Sequence, residues 1–285
     1  ADPEEWRYAL ALEPQWTKLP CFVDGDWETL AHYLPLLVEA GVRPVVDLRT
    51  HSHSWFTEHE GDPFDAFAQE CAEVVDAFGV WCHDWEVWGE APCRWSANLV
   101  FEGGNYTRLL RAMKAVLPPD ARLWFGGHGV QGDVLFWQRV EEEGGGAFYE
   151  VNNLHCFSHA RQWATVEQQY RMMFAQMRGT ETERGEQHAL ASTEFGWPTH
   201  PDGAGVPFAS HVVSSVLSLS EAEGARWLDK SLALFYAAGM EDVCFLSLRE
   251  GDPASSHWGA HIGLYRNDWT PKPDLEVWRA WRALT

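Results

Sequence analysis

Trp85-Glu86-Val87-Trp88-Gly89-Glu90-Ala91-Pro92 is the stretch on which the fold turns. Its front half reads as a buried strand, and a turn follows at once. Alternate residues of a strand share a face, so Glu86, Trp88 and Glu90 are expected to point the same way. Glu90 then falls at the strand's C-terminal lip, before a proline that cannot extend the ladder. A second acid repeats the arrangement. In Ala191-Ser192-Thr193-Glu194-Phe195-Gly196-Trp197-Pro198 a short strand ends in Glu194, and Gly and Pro follow.

Outward from these stretches, strands alternate with helices. Trp6 to Leu12 reads as a strand, followed by a long loop. Trp27 to Ala40 has apolar residues at helical spacing and stops at Gly41. Val42 to Leu48 is a nearly continuous apolar run, as expected of a strand covered on both faces. Helices follow at 64–78, opened by Asp62-Pro63, and at 105–117, then a short strand at 123–125. A helix at 133–143 and a strand at 148–154 come next, with His155 at the strand's exit. Beyond them lie a helix at 163–177, a charged, mobile loop at 178–187, and the strand that leads to Glu194. The chain closes with a helix at 221–238, a strand at 243–248 with Arg249 and Glu250 in its exit loop, and a final helix at 272–283.

This alternation predicts a parallel sheet in one domain spanning residues 1–285. The fold class expected is a (β/α)8 TIM barrel; about seven strands are legible where such a barrel wants about eight, so either one is hidden in the long loops or the first βα unit is lacking or modified. No G-x-G-x-x-G turn opens a helix, which weighs against dinucleotide binding.

The chain has 285 residues, 46% of them hydrophobic, enough for one large core. No apolar run is long enough to span a membrane, and Ala1-Asp2-Pro3-Glu4-Glu5 does not read as a signal peptide. A net charge of −21 argues against nucleic acid, whose phosphates need clustered Lys and Arg. Of six cysteines, Cys71, Cys82, Cys156 and Cys244 lie in apolar segments and read as core thiols, while Cys21 and Cys93 fall in loops. Their spacing suggests no zinc finger. The redox compartment stays open, with a secreted or extracytoplasmic setting favoured over the cytoplasm. Asn105-Tyr106-Thr107 is a lone glycosylation sequon. Seventeen tryptophans offer indole faces to sugars as well as core filler.

The order of the elements and their exits resembles clan A glycoside hydrolases, (β/α)8 retaining enzymes that include families 5 and 39. In that clan an Asn-Glu-Pro signature ends strand 4 and supplies the acid/base. A Glu at the end of strand 7, often before Phe-Gly-Trp, is the nucleophile. Trp85 to Pro92 is similar to the first motif and Thr193-Glu194-Phe195-Gly196-Trp197 to the second. His155 sits where the clan often keeps a His after strand 6. Gly263-Leu264-Tyr265 through Pro271-Lys272-Pro273 resembles the closing segment of many members. In this alignment Trp6 to Leu12 falls on strand 2. The departure is at Gly89, which replaces the clan's Asn, with Ala91 before the proline. That Asn usually bonds the sugar 2-hydroxyl, and Arg49, His51, His53 and His128 are the alternative donors.

The resemblance implies cleavage of an O-glycosidic bond in an oligo- or polysaccharide, with no cofactor. Glu194 would attack the anomeric carbon. Glu90 would protonate the leaving oxygen and then activate water, with the two carboxyl groups about 5–5.5 Å apart. Trp88, Gly89, Arg49, His51, His53, His128, His155, Trp197 and Arg249 are the expected substrate contacts. An acid after a strand is more often a solvated loop residue or an ion-pair partner, so the matched pair carries the reading. Glu86 is expected inside the barrel, paired with Arg7 or Arg49. Arg249 and Glu250 are expected to pair with each other or to line the cleft. Two other classes stand beside this one. His51-Ser52-His53, with His128 and His155, suits a metal-dependent amidohydrolase. Gly89 also fits a barrel that binds carbohydrate without cleaving it.

Overall fold

A computed structural model describes residues 3–51, 55–90, 103–129, 133–157, 162–201, 203, 205–209 and 216–284. The chain divides into two compact units, one of residues 1–154 and 179–191, the other of residues 155–178 and 192–285.

The sheet's principal strands are seven: β1 (Trp16–Phe22), β2 (Arg43–Arg49), β3 (Asp84–Val87), β4 (Arg122–Phe125), β5 (Val151–Cys156), β6 (Ala189–Phe195) and β7 (Met240–Phe245). In the first unit they run in the order β1-β2-β3-β4-β5-β6, and in the second the same sheet continues β5-β6-β7. Neighbours from β1 to β5 are parallel, with Asp47 opposite Glu86 and Glu86 opposite Trp124. Each connection carries a helix, as parallel pairing demands. These are α2 (Glu28–Glu39), α4 (Pro63–Phe78), α5 (Gly103–Val116), α6 (Asp133–Glu142), α7 (Trp163–Arg184) and α8 (Glu221–Ala237). α1 (Pro3–Leu10) precedes the first strand, α3 (Trp55–Glu58) is a single turn, and α9 (Pro273–Arg282) closes the chain. This is the strand–helix repeat of a (β/α)8-type fold. Glu90 follows the third strand and Glu194 lies in the sixth, a constant offset of one from the strands of the clan motifs. No helix among the described residues is long and apolar enough to cross a membrane.

β2 shows why the sheet is parallel. Val45, Val46, Asp47 and Leu48 are all 0% exposed, so both faces are covered. α4 shows how its covering helices are specified. The Asp62 side chain accepts from the Phe64 amide at 3.0 Å, and Pro63 opens the helix. Phe64, Phe67, Ala68, Cys71, Val74, Val75 and Phe78 then repeat at three- and four-residue spacing, and all are buried. Replacing Asp62 by Ala removes that cap and the Arg108 ion pair. The expected cost is about 1 kcal/mol, read as a lower urea midpoint at unchanged slope.

Several sequence expectations are corrected. Trp6 to Leu12 is not a strand. Its first part belongs to α1, which Pro3 opens, and short apolar runs do not separate the two periods. The following segment, read as loop, is β1. Pro20 interrupts its pattern, but β1 ends the described strand order, where a missing N–H is tolerated. Cys21 therefore lies in a strand and is 4% exposed, its thiol pushed up to about 12 by burial and by the charge of Asp24. Residues 178–184 continue α7 rather than forming a mobile loop. β5 starts at Val151 because Gly145–Phe148 forms a 3-10 turn, which places His155 inside the strand. Cys71, Cys82 and Cys156 are buried free thiols and Cys244 is a half-buried one. His53 and Cys93 lie outside the described residues.

Candidate active site

In the first unit, β3 stops at Val87 and the chain turns through two left-handed residues, Trp88 (φ 53°) and Glu90 (φ 61°). A side chain in that region costs on the order of 1–3 kcal/mol, and such strain gathers at functional sites. Three backbone donors hold the turn. Trp88 N bonds Leu48 O at 2.9 Å, Gly89 N bonds Asp47 Oδ1 at 3.2 Å, and Glu90 N bonds Gly127 O at 3.1 Å. The strand alternation does not run through this turn, so Glu86, Trp88 and Glu90 do not form one face. Glu86 is 0% exposed inside the unit and Glu90 is half-buried. Trp88, expected against substrate, is 2% exposed and edge-on to Phe56 and Phe67.

Glu86 is paired with a lysine that the sequence did not point to. Lys18 Nζ lies 3.2 Å from Glu86 Oε1 and 3.5 Å from Asp47 Oδ2, while Arg49 caps the Asp47 carboxylate. A Cβ on Gly89 would lie 3.1 Å from each of Arg49 Nη2, Asp47 Oδ2 and Glu86 Oε1. A side chain at this position would therefore press on the cluster, whose members would have to give by a few tenths of an ångström.

The other expected donors divide. His51 is exposed, stacked on Phe22 with centroids 4.1 Å apart, and its Nδ1 lies 3.0 Å from Asp24 Oδ1. His128 is 0% exposed, its Nε2 3.1 Å from Asn152 Oδ1 and its ring stacked on Trp137. It is a core histidine rather than a rim donor.

In the second unit, β5 carries His155 and β6 carries Thr193 and Glu194. His155 is 2% exposed, while the Glu194 side chain keeps 21% of its surface open. Thr193 Oγ1 lies 3.0 Å from His155 Nε2, and His155 Nδ1 lies 3.6 Å from Glu194 Oε2. The imidazole lies beside the Glu194 carboxylate without leaving the core. Gly196 has no substitute, since a Cβ there would meet Ile262 Cγ2 at 2.6 Å and Leu246 O at 2.7 Å. Trp197, expected as a sugar platform, is 4% exposed and edge-on to Trp227. Arg249 and Glu250 do not pair with each other. The Arg249 guanidinium lies over the Trp269 ring at 4.6 Å, and Glu250 Oε1 takes Lys272 Nζ at 2.7 Å.

Sequence reasoning missed Lys18, Asp47, Thr193 and Lys272. Asp47 carried one usable signal, a carboxylate in the middle of an apolar strand, which must find partners.

Neither the protein-family models nor the curated proteins give a match. Solved structures do. A family 39 glycoside hydrolase from Bacteroides cellulosilyticus superposes with a TM-score of 0.70 at 16% identity, over 97% of this chain and 59% of that one. The GH53 catalytic domain of Ignisphaera aggregans gives 0.64 at 13% identity, over 98% and 88%. The GH1 beta-glucosidase of Exiguobacterium antarcticum gives 0.60 at 10% identity, over 98% and 85%. The chain thus spans about three-fifths of the family 39 protein's length. These likenesses show the fold, a (β/α)8-type barrel of the kind that clan A glycoside hydrolases use.

Proposed function

We propose that this protein is a retaining glycoside hydrolase acting on an oligo- or polysaccharide, residues 1–285 serving as one catalytic domain. Glu194 is the nucleophile. It attacks the anomeric carbon, the leaving oxygen departs with the proton of Glu90, and a glycosyl ester forms on Glu194. Glu90 then takes a proton from water, whose oxygen displaces Glu194 and releases the sugar. One observation carries the reading. Each acid sits at the C-terminal end of a parallel strand, the edge where barrels of this class perform chemistry, and the two are three strands apart in the order of the clan. His155, buried 3.6 Å from the Glu194 carboxylate, adds support. His51 and Arg49 are the contacts proposed for the sugar in place of the missing Asn.

The test is a panel of mechanism-based inhibitors, 2-deoxy-2-fluoroglycosyl fluorides of several sugars, followed by peptide mass spectrometry. A stable glycosyl ester is expected on Glu194, which also identifies the sugar. A label on another residue rejects the assignment. Glycan binding with no label and no cleavage across the panel means a carbohydrate-binding barrel, the reading that Gly89 favours. The mechanism also requires a carboxyl separation of about 5–5.5 Å. A crystal structure of the labelled enzyme measures it, and a gap near 9 Å points to inversion instead.

A further inference from the structure

The turn that carries Glu90 rests on charge buried beneath it. Asp47 and Glu86 are both 0% exposed, on adjacent strands and directly opposite in register. Lys18, from β1, reaches both carboxylates, and Arg49 caps Asp47 from above. This is an unusual filling for a parallel barrel, where apolar branched residues dominate the interior. A buried carboxylate needs partners with good geometry, and these acids share theirs with the backbone of the turn. Asp47 Oδ1 accepts the Gly89 amide at 3.2 Å. Glu86 Oε1 accepts the Gly127 amide at 3.3 Å, and Gly127 O in turn accepts the Glu90 amide at 3.1 Å. Both amides adjoining the proposed acid/base are therefore tied, directly or through one residue, to the buried pair.

We propose that Asp47, backed by Lys18 and Glu86, is a positioning residue that locks the left-handed turn at Trp88 to Glu90, and with it the direction of the Glu90 carboxyl. This rests on the glycosidase reading above. The ion cluster acts on geometry. Trp88 and Glu90 occupy a backbone region that side chains avoid, and the turn relaxes to an ordinary loop once its amides lose their acceptors. A general acid displaced by about 1 Å loses much of its contribution.

The chemistry supplies a selective readout. Departure of phenolate from a phenyl glycoside needs the proton of the general acid, whereas 2,4-dinitrophenolate leaves without it. Rates are compared on phenyl and 2,4-dinitrophenyl glycosides of glucose, galactose, xylose and glucuronic acid. Asp47→Ala is expected to lose about 10²-fold in kcat/KM on the phenyl glycoside that the parent cleaves. Its loss on the dinitrophenyl partner should be smaller by at least about tenfold. Asp47→Asn keeps an acceptor for the Gly89 amide and should recover most of the phenyl rate. Equal losses on both substrates, or no rescue by Asn, assign Asp47 to stability alone and overturn the inference. Amide exchange in the parent gives a second measure, free of any variant's folding. The Gly89 and Glu90 amides should be protected like that of Val87, and exchange at open-loop rates overturns the locked turn. A parent that cleaves neither glycoside of any pair, with those amides protected, removes the glycosidase reading and the role given to the turn. The locked geometry itself would stand.

Discussion

Glu194→Gln is expected to lower kcat/KM on aryl glycosides by at least about 10³-fold, the scale set by losing a group that acts on the reacting atoms. The substitution is nearly isosteric. It keeps an oxygen toward His155 Nδ1, whose distance to the carboxylate is now 3.6 Å, so thermal unfolding should move little. What it removes is the anionic oxygen that attacks the anomeric carbon. The companion Glu194→Ala leaves room for an external anion. In sodium azide it is expected to regain turnover, as azide attacks the anomeric carbon, the aryl oxide leaves, and a glycosyl azide of inverted configuration accumulates. Proton NMR of the product fixes that configuration. A retained azide product, or a Glu194→Gln variant within tenfold of the parent, removes Glu194 from the nucleophile's role.

The sequence made this pair visible because strand ends are local. A run of apolar residues closed by Glu, Gly and Pro needs no tertiary information, and Glu194 and Glu90 could both be placed that way. The helix boundaries were legible for the same reason. Asp62-Pro63 before Phe64 and Gly79 after Phe78 are chemical stops that bracket α4. What failed depended on partners far along the chain. The strand at Trp16–Phe22 looked like a loop because Pro20 breaks its pattern, and only its place at the end of the strand order makes that harmless. Trp88 and Trp197 looked like sugar platforms because indole suits both roles. Burial decided otherwise, through Phe56 and Phe67 for one and Trp227 for the other. Lys18 was missed as a partner of Glu86 because charge complementarity names a type of residue, not a strand. Lys18 reaches it through β2, 68 positions away in sequence. Gly89 read in the sequence as the loss of one sugar contact, and the charge cluster packed against it was out of sight there.

A second large effect is expected in stability rather than turnover. Glu141 is 0% exposed at the end of α6, where its Oε1 accepts the Tyr149 hydroxyl at 2.5 Å. Burial is the main cause that pushes its carboxyl up, to about 7 from an ordinary 4.5. The neighbouring Glu186 adds to the rise, and Tyr149 and His188 oppose it. Arg184 lies 3.6 Å from the other oxygen. The folded protein therefore holds a proton here that the unfolded chain releases above about pH 4.5. The stabilisation is complete below that value and is lost as pH rises through about 7. Between pH 5 and pH 8 it amounts to about 2–3 kcal/mol. His188, stacked on Tyr149 and 3.2 Å from Glu181, works in the same direction. Burial lowers its pKa, but the bonds to Glu181 and the Gly146 carbonyl outweigh that and raise it, so its contribution is also lost towards high pH. A global scan mixes these groups with the repulsion of a chain carrying a net charge of −21, which itself grows with pH. The difference between parent and Glu141→Gln cancels that background. Glutamine mimics the protonated acid, accepting from Tyr149 and donating to Glu186. Urea unfolding followed by tryptophan fluorescence should therefore show the variant gaining about 2–3 kcal/mol on the parent from pH 5 to pH 8. A difference that stays flat across that range would mean that Glu141 is ionised in the folded protein throughout, held by Arg184, and that the buried acids beside α6 keep their charge without cost.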